Sequence, residues 1–257
     1  MKPAARLYAI FNHIEKYGDT SLVELAKIFS VSEMTIRRNV ESLQTDGAVQ
    51  IRLGVVSRGA KTSYEPPFSI RVERNAKEKR EIATTIAQEI LDGESIIIDG
   101  GSTGVALAMA LVNRKITVCT PSLRVANVLS SSPETQLIIP GGMLRKPEET
   151  FIGASAAQTL ANYRFDSYFM TVSGVDLVDG CTEWNLEDAA IKQVAMRVSG
   201  RTTVMADSTK FGRTAFAHIC DLKSILKIVT DGNLSSEIAK SYAAKQIKIQ
   251  GVLSVQD

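Results

Sequence analysis

Leu7, Ile10, Phe11 and Ile14 recur at spacings of three and four, an apolar stripe that predicts a first helix ending near Gly18. Ser21 stands three residues before Glu24, a capping-box spacing in which each side chain can satisfy the other's free backbone N–H. Leu22, Leu25, Ala26 and Phe29 then supply the buried face of a second helix. After the short Ser30-Val31-Ser32 connection, Ser32 can cap a third helix from Glu33 to about Asp46, with Ile36, Val40 and Leu43 inward and Gly47 as its stop. Alternation comes next: Val49-Gln50-Ile51-Arg52-Leu53 and Gly54-Val55-Val56 predict a short hairpin.

Residues 58–75 combine Ser, Gly and the Pro66-Pro67 pair with scattered charge and carry neither apolar period, so they read as a linker, with Phe68 placed to dock on the larger domain. From Ala76 onward, β-branched runs alternate with helical stretches, the pattern of a mostly parallel sheet covered by helices. The strands predicted are 95–99, 116–119, 136–139, 167–172, 202–205 and 228–230; both faces of their sheet should be buried, because each is nearly continuous in apolar residues. Helices are predicted over 77–90, 105–111, 123–129, 187–199 and 235–245. The fold class is therefore α/β, with a small helical domain (residues 1–57), a linker (58–75) and a larger open-sheet domain (76–257).

Composition narrows the function classes. With 257 residues, 44% hydrophobic and 23% charged, the chain has ample material for a core and is not of a disordered or collagen-like type. The formal net charge is only +2, but residues 1–75 carry 11 basic and 8 acidic groups, so the basic excess sits near the N-terminus. Cys119, Cys181 and Cys220 form neither a C-x-x-C pair nor an even set, so no disulfide framework or metal site is expected, and a cytoplasmic home is. No apolar window approaches a membrane span, and no signal peptide is expected.

Two helices joined by so tight a turn suit a helix-turn-helix, whose second helix enters the major groove of double-stranded DNA. Ser32, Met34, Thr35, Arg37, Arg38 and Asn39 are its candidate contacts: the guanidinium groups can neutralise phosphates or grip guanine, and Thr35 can reach phosphate or a thymine methyl. Arg52 would touch the adjacent backbone from the hairpin, acting as a wing. In the larger domain, Asp99-Gly100-Gly101-Ser102-Thr103-Gly104 follows a strand and precedes a helix, so its backbone N–H groups and hydroxyls can receive a phosphorylated small molecule. The loop is neither a Walker P-loop nor G-x-G-x-x-G, which disfavours a nucleotide. Gly141, Asp176 and Lys210 fall in polar loops after later strands and join the candidate effector residues; Lys210 could meet phosphate and Asp176 sugar hydroxyls. Glu187 and Lys192 lie on a later helix, where Asp188 and Lys192 could equally form a surface ion pair. His13 and His218 lie in no catalytic pattern.

The run Val31-Ser32-Glu33-Met34-Thr35-Ile36-Arg37-Arg38 resembles the recognition-helix signature of the DeoR-type bacterial transcriptional regulators. Asn39 stands where that family usually has Asp, and Gly54-Val55-Val56 replaces its common Gly-Gly-Ala wing ending. The resemblance continues through Tyr64, Glu65, Phe68 and Arg71, then Glu78-Lys79, Ile82-Ala83, Asp99 to Thr103, Gly141-Gly142, Gly174-Val175, Asn185 with Glu187 and Lys192, and Asp207 to Gly212. Thr120-Pro121-Ser122 departs from the frequent Thr-Asn-Ser. The resemblance implies a winged helix-turn-helix domain followed by a sensor domain similar in fold to ribose-5-phosphate isomerase and glucosamine-6-phosphate deaminase. It implies a repressor of a carbohydrate operon that binds operator DNA, responds to a phosphorylated sugar, needs no cofactor or metal, catalyses nothing and forms a homo-dimer or tetramer. The alternative is a phosphosugar isomerase-like enzyme using Asp176 or Glu187 as base and Lys210 as electrostatic stabiliser.

Overall fold

The computed structural model describes residues 3–45, 48–59, 65–146 and 148–252 and divides into two compact units, Met1–Arg74 and Asn75–Asp257. The first contains α1 (Pro3–Tyr17), β1 (Thr20–Ser21), α2 (Leu22–Ile28), α3 (Glu33–Thr45), β2 (Val49–Arg52), β3 (Val55–Arg58) and α4 (Phe68–Glu73). Ser21 Oγ accepts from the Glu24 N–H, the first half of the expected capping box, while no bond returns from the Glu24 carboxylate; Ser32 Oγ accepts from the Thr35 N–H as expected. Ile10, Ile14, Leu25, Ile36, Val40 and Leu43 close a common core. The stop expected at Asp46–Gly47 lies outside the described residues.

Two features of this unit leave no trace in the hydrophobic pattern. β1, two residues long, joins the hairpin as a third strand through β3; so short an element carries no periodicity. The stretch expected to be linker holds α4, which packs on α1 and places Ile70, only 1% exposed, in the N-terminal core. Its one buried apolar position is too little to register as a helical stripe.

The second unit runs α5 (Ala76–Ala87), β4 (Ser95–Ile98), α6 (Gly101–Ala110), β5 (Thr117–Cys119), α7 (Leu123–Leu129), β6 (Gln136–Ile138), β7 (Met143–Arg145), β8 (Thr150–Ile152), α8 (Ala154–Ala161), β9 (Phe165–Thr171), β10 (Gly174–Asp176) and β11 (Gly180–Glu183). It continues with α9 (Leu186–Arg197), β12 (Ser199–Met205), β13 (Ala217–Cys220), β14 (Lys227–Thr230), α10 (Ser236–Ala244) and β15 (Ile249–Gly251). Seven parallel strands form one sheet in the order β15-β14-β12-β9-β4-β5-β6. The chain builds outward from β4 to β6, returns to β9, and then builds in the opposite direction. The order therefore reverses between β4 and β9.

Alternation along the strands sends Ile97, Tyr168, Met170, Val204 and Ile228 to the face covered by α8, α9 and α10. On the other side, α5, α6 and α7 pack in succession. All six strands and five helices expected for this unit form, within a few residues. α8, the seventh strand β15, the β7–β8 hairpin and the antiparallel sheet β10-β11-β13 were not anticipated. α6 starts four residues earlier than expected, at Gly101, through a Gly-Ser-Thr-Gly sequence of poor helix propensity. Packing overrides propensity there: a Cβ on Gly104 would lie 2.1 Å from the Asp99 carbonyl oxygen, so the helix hugs the end of β4.

Candidate functional site

In the N-terminal unit, α2 and α3 are joined by a turn in which Ser30 takes a left-handed conformation. Ser32, just before α3, and Met34, Arg37 and Arg38 on it are exposed, while Ile36 and Val40 are fully buried, so one edge of the helix is left to solvent. Arg37 makes only a loose pair with Glu33, at 3.6 Å and one turn away. Thr35 is half-buried and its hydroxyl bonds that of Ser32 at 2.9 Å, so it serves the cap.

Asn39 has a different setting from its neighbours. It is half-buried, and its side-chain oxygen accepts from Arg6 Nε of α1 at 2.7 Å, bracing α3 against α1. Arg6 gave no signal in the sequence because its partner lies 33 residues away. Arg52 is exposed at the end of β2. The two residues after it, Leu53 and Gly54, both have positive φ, the two-residue turn that matches the twist of a hairpin, and they present Leu53 at the wing tip.

In the second unit, Asp99 emerges from β4 at the point where strand order reverses, the usual ligand position in open α/β sheets. It is buried and heavily bonded: its carboxylate accepts from the N–H of Gly100 and from the N–H and hydroxyl of Thr171, all within 2.9 Å. Lys192, projecting from α9, sets its ammonium 2.5 Å from Asp99 and 3.0 Å from Glu183. The same ammonium donates to the Thr171 carbonyl at 2.8 Å. Glu183 additionally accepts from the Ser173 hydroxyl and from the Trp184 N–H.

The electrostatics follow from burial. Desolvation alone would raise Glu183 and lower Lys192, but their mutual attraction prevails. Despite burial, Lys192 and the donated hydrogen bonds hold the Glu183 carboxyl below its ordinary range; against the same desolvation, Asp99 and Glu183 push Lys192 above its own. The expected Asp188–Lys192 surface pair is not what forms. Lys192 is 5% exposed, and Asp188 pairs instead with Arg145 of β7 and accepts from the Thr150 hydroxyl of β8. Burial raises the Asp188 pKa, Arg145 and Thr150 only partly opposing it.

The remaining predicted residues separate. Gly100 caps α6, Gly101, Ser102 and Thr103 form its first turn, and Ser102 and Thr103 are buried. Thr150 and Ser122 line the space above Gly100. Gly141 takes the turn from β6 into the β7–β8 hairpin with a positive φ. Lys210 ends a short 3-10 turn after β12, where it and the buried Lys79 draw the Asp207 pKa down against desolvation. β12 lies two strands from β4, so this second group stands about 10 Å along the same edge. Glu187 is exposed in the first turn of α9. Asp176 is set apart: its carboxylate accepts from the N–H groups of Val178 and Asp179 in the β10–β11 turn, which lower its pKa, and its electrostatic neighbours are Tyr242 of α10 and Lys245 just after it. Neither Asp176 nor Glu187 is bonded to the Lys192 cluster.

Glu183, Thr171, Ser173, Arg145 and Thr150 were missed as site residues. They sit on strands or in turns with no motif around them, and only long-range pairing brings them together. Lys192 did carry a signal: it stands among Ala189, Ile191, Val194 and Ala195, the apolar positions of the buried side of α9.

The description "DeoR-like helix-turn-helix domain" matches residues 6–58, and "DeoR C terminal sensor domain" matches residues 74–232. The chain belongs to the DeoR family. Among its relatives, the uncharacterised HTH-type transcriptional regulator YulB of Bacillus subtilis is 32% identical over 98% of both chains. The glycerol-3-phosphate regulon repressor of Escherichia coli is 28% identical over 90% of this chain and 92% of its own. The HTH-type transcriptional repressor CsqR of Escherichia coli is 29% identical over 92% and 90%. Among solved structures, ribose 5-phosphate isomerase A of Methanocaldococcus jannaschii aligns over 53% of this chain and 55% of its own, with a TM-score of 0.41 and 15% identity, a likeness too partial to bear on chemistry. As a DeoR-family member, the chain is a DNA-binding transcription regulator with a sensor domain. Among the described residues, no helix is long and apolar enough to cross a membrane, and no group of His, Cys, Asp and Glu is arranged to hold a metal.

Proposed function

We propose that this DeoR-family regulator represses a carbohydrate-utilisation operon and that a phosphorylated sugar bound at the carboxyl edge of the parallel sheet alters its affinity for the operator. The observation that carries this reading is the placement of Asp99, the α6 N-terminus and Lys192 together at the β4–β9 reversal. The N–H groups of Gly101 to Thr103 and the hydroxyls of Ser102 and Thr103 receive the phosphate. Gly141 and Lys210, on the loops either side, bound the sugar, and the Lys192 cluster fixes the floor of the site. A relative named as a glycerol-3-phosphate regulon repressor supports a small organic phosphate as the signal.

On the DNA side, Ser32, Met34, Thr35, Arg37 and Arg38 meet the major groove, and Arg52 meets the adjacent phosphates. Asn39 acts through its bond to Arg6. Two half-sites suit two recognition helices, so the working unit is at least a dimer, in the cytoplasm. The ligand can change operator affinity only by preferring one arrangement of the protein over another, and the coupling is reciprocal.

A gel shift on the DNA upstream of the protein's own gene tests this, repeated with a panel of sugar phosphates, the unphosphorylated sugars and inorganic phosphate. The expected result is retardation that one phosphorylated sugar changes and its unphosphorylated form does not. Retardation indifferent to every phosphate would overturn the effector assignment, and turnover of a sugar phosphate by the purified protein would favour an isomerase.

A further inference from the structure

Cys181 and Cys220 face each other directly across the antiparallel β11–β13 pair, and both lie in the core of the sensor domain. Opposed residues on such strands have Cα atoms about 4.5–5.5 Å apart, inside the roughly 4.4–6.8 Å range that a disulfide spans. The strands come together closely here: a Cβ on Gly180 would lie 2.3 Å from the Cys220 carbonyl oxygen, and the ladder shifts register just after Cys181. β13 is the outer strand of its sheet, and the residues flanking the two cysteines, Gly180 and Asp221, line an open groove of about 700 Å³ with Lys223 and Lys245 on its walls. Of the two sulfurs, Cys220 on the outer strand keeps 8% exposure and Cys181 none, so a small oxidant meets Cys220 first.

We infer that Cys181 and Cys220 form a reversible intrachain disulfide when the protein meets a peroxide, making β11–β13 an oxidation site in the sensor domain. The Cys220 sulfur attacks the peroxide oxygen, breaking the O–O bond and giving a sulfenic acid and water. The Cys181 sulfur then attacks the sulfenic sulfur, expelling the second water; overall, two thiols and one hydrogen peroxide become one disulfide and two waters. The roles follow from position: Cys220 lies on the outer strand and is 8% exposed, whereas Cys181 lies on the central strand and is fully buried; the neighbouring thiol also draws the Cys220 pKa down and raises that of Cys181. Cys119 is the internal control, since it is buried, has no cysteine opposite it, and burial pushes its pKa up to about 12. The crosslink would reach the Lys192 cluster, because Glu183 lies two residues beyond Cys181 on the same strand.

The test treats the folded, full-length protein with hydrogen peroxide, alkylates the remaining thiols and maps peptides without reduction. The expected result is the loss of two of the three free thiols, a 181–220 crosslink as the main product, its reversal by dithiothreitol, and an alkylatable Cys119. In the Cys181→Ser variant, dimedone should trap a sulfenic acid at Cys220; in Cys220→Ser, Cys181 should remain a thiol. Absence of the crosslink in the folded wild-type protein, or its appearance only after denaturation, overturns the inference whatever the variants do. Oxidation of Cys119 as fast as that of Cys220 overturns it equally.

Discussion

Lys192 Nζ lies 2.5 Å from Asp99 Oδ2 across 93 residues of sequence, and this bond joins the end of β4 to α9 at the place where the strand order reverses. Its removal leaves two carboxylates, Asp99 and Glu183, buried without their cation. Lys192→Met should therefore destabilise the sensor domain by about 3–5 kcal/mol, as breaking a buried pair from one side does. Adding Asp99→Asn should recover part of that loss. Urea unfolding of the three proteins measures both effects, and a Lys192→Met protein as stable as wild type would show that the cluster is not desolvated as described.

The same cluster predicts a pH dependence with two limbs. Glu183 titrates below its ordinary value of 4.5, so its contribution is complete above that value and is lost as pH falls through the lowered one. Lys192 titrates above 10.5, so its contribution is complete below that value and is lost as pH rises through the raised one. Asp188 opposes the acid limb: with its pKa raised above 3.8, its contribution is complete below 3.8 and declines as pH rises through the higher value. In Glu183→Gln, the acid-side loss of stability should be shallower than in wild type. Unfolding curves from roughly pH 3 to pH 6 show this.

Arg37 and Arg38 are exposed on α3 and contribute nothing to the core, so replacing both with Ala should leave thermal stability nearly unchanged. Operator binding should fall sharply. If both meet phosphates, the slope of log K against log salt should drop by about 0.9 for each. Fluorescence anisotropy at several salt concentrations reads the slope, and unchanged affinity would remove these residues from the interface.

Ile70 should behave as a core residue of the helix-turn-helix unit. Ile70→Ala is expected to cost that unit about 2–5 kcal/mol. A fragment ending at Arg74 should accordingly be more stable than one ending at Ser57, as circular dichroism melts would show.

Gly104→Ala should disrupt the effector region more than an Ala in the middle of a helix ordinarily does, because the added methyl carbon meets the Asp99 carbonyl at 2.1 Å. The end of β4 or the start of α6 must shift. The expected outcome is a lower melting temperature together with weakened sugar-phosphate binding by calorimetry.

Much of this was legible in the chain. The three N-terminal helices, the wing hairpin, six parallel strands and most of the covering helices follow from local periodicity and caps, because each buries a stripe or a run that its own residues define. Besides α8, whose small side chains declare only a weak stripe, the elements that escaped, β1, α4, β15 and the antiparallel strands, are short and stabilised from outside themselves. β11, for example, reads Gly-Cys-Thr-Glu, and nothing in that string declares that all four residues are buried.

The site divides along the same line. Sequence alone determined that a glycine turn ends an apolar strand and begins a helix, and that two arginines follow a capped turn, because turn geometry and helix caps are properties of neighbours in the chain. Only the tertiary structure decided that Lys192 faces Asp99 and Glu183 rather than Asp188, that Asp176 belongs to its own turn, and that Asn39 answers to Arg6. A buried charge takes the partner that packing brings within reach, and that choice is made by strand order and helix placement, which no local pattern encodes.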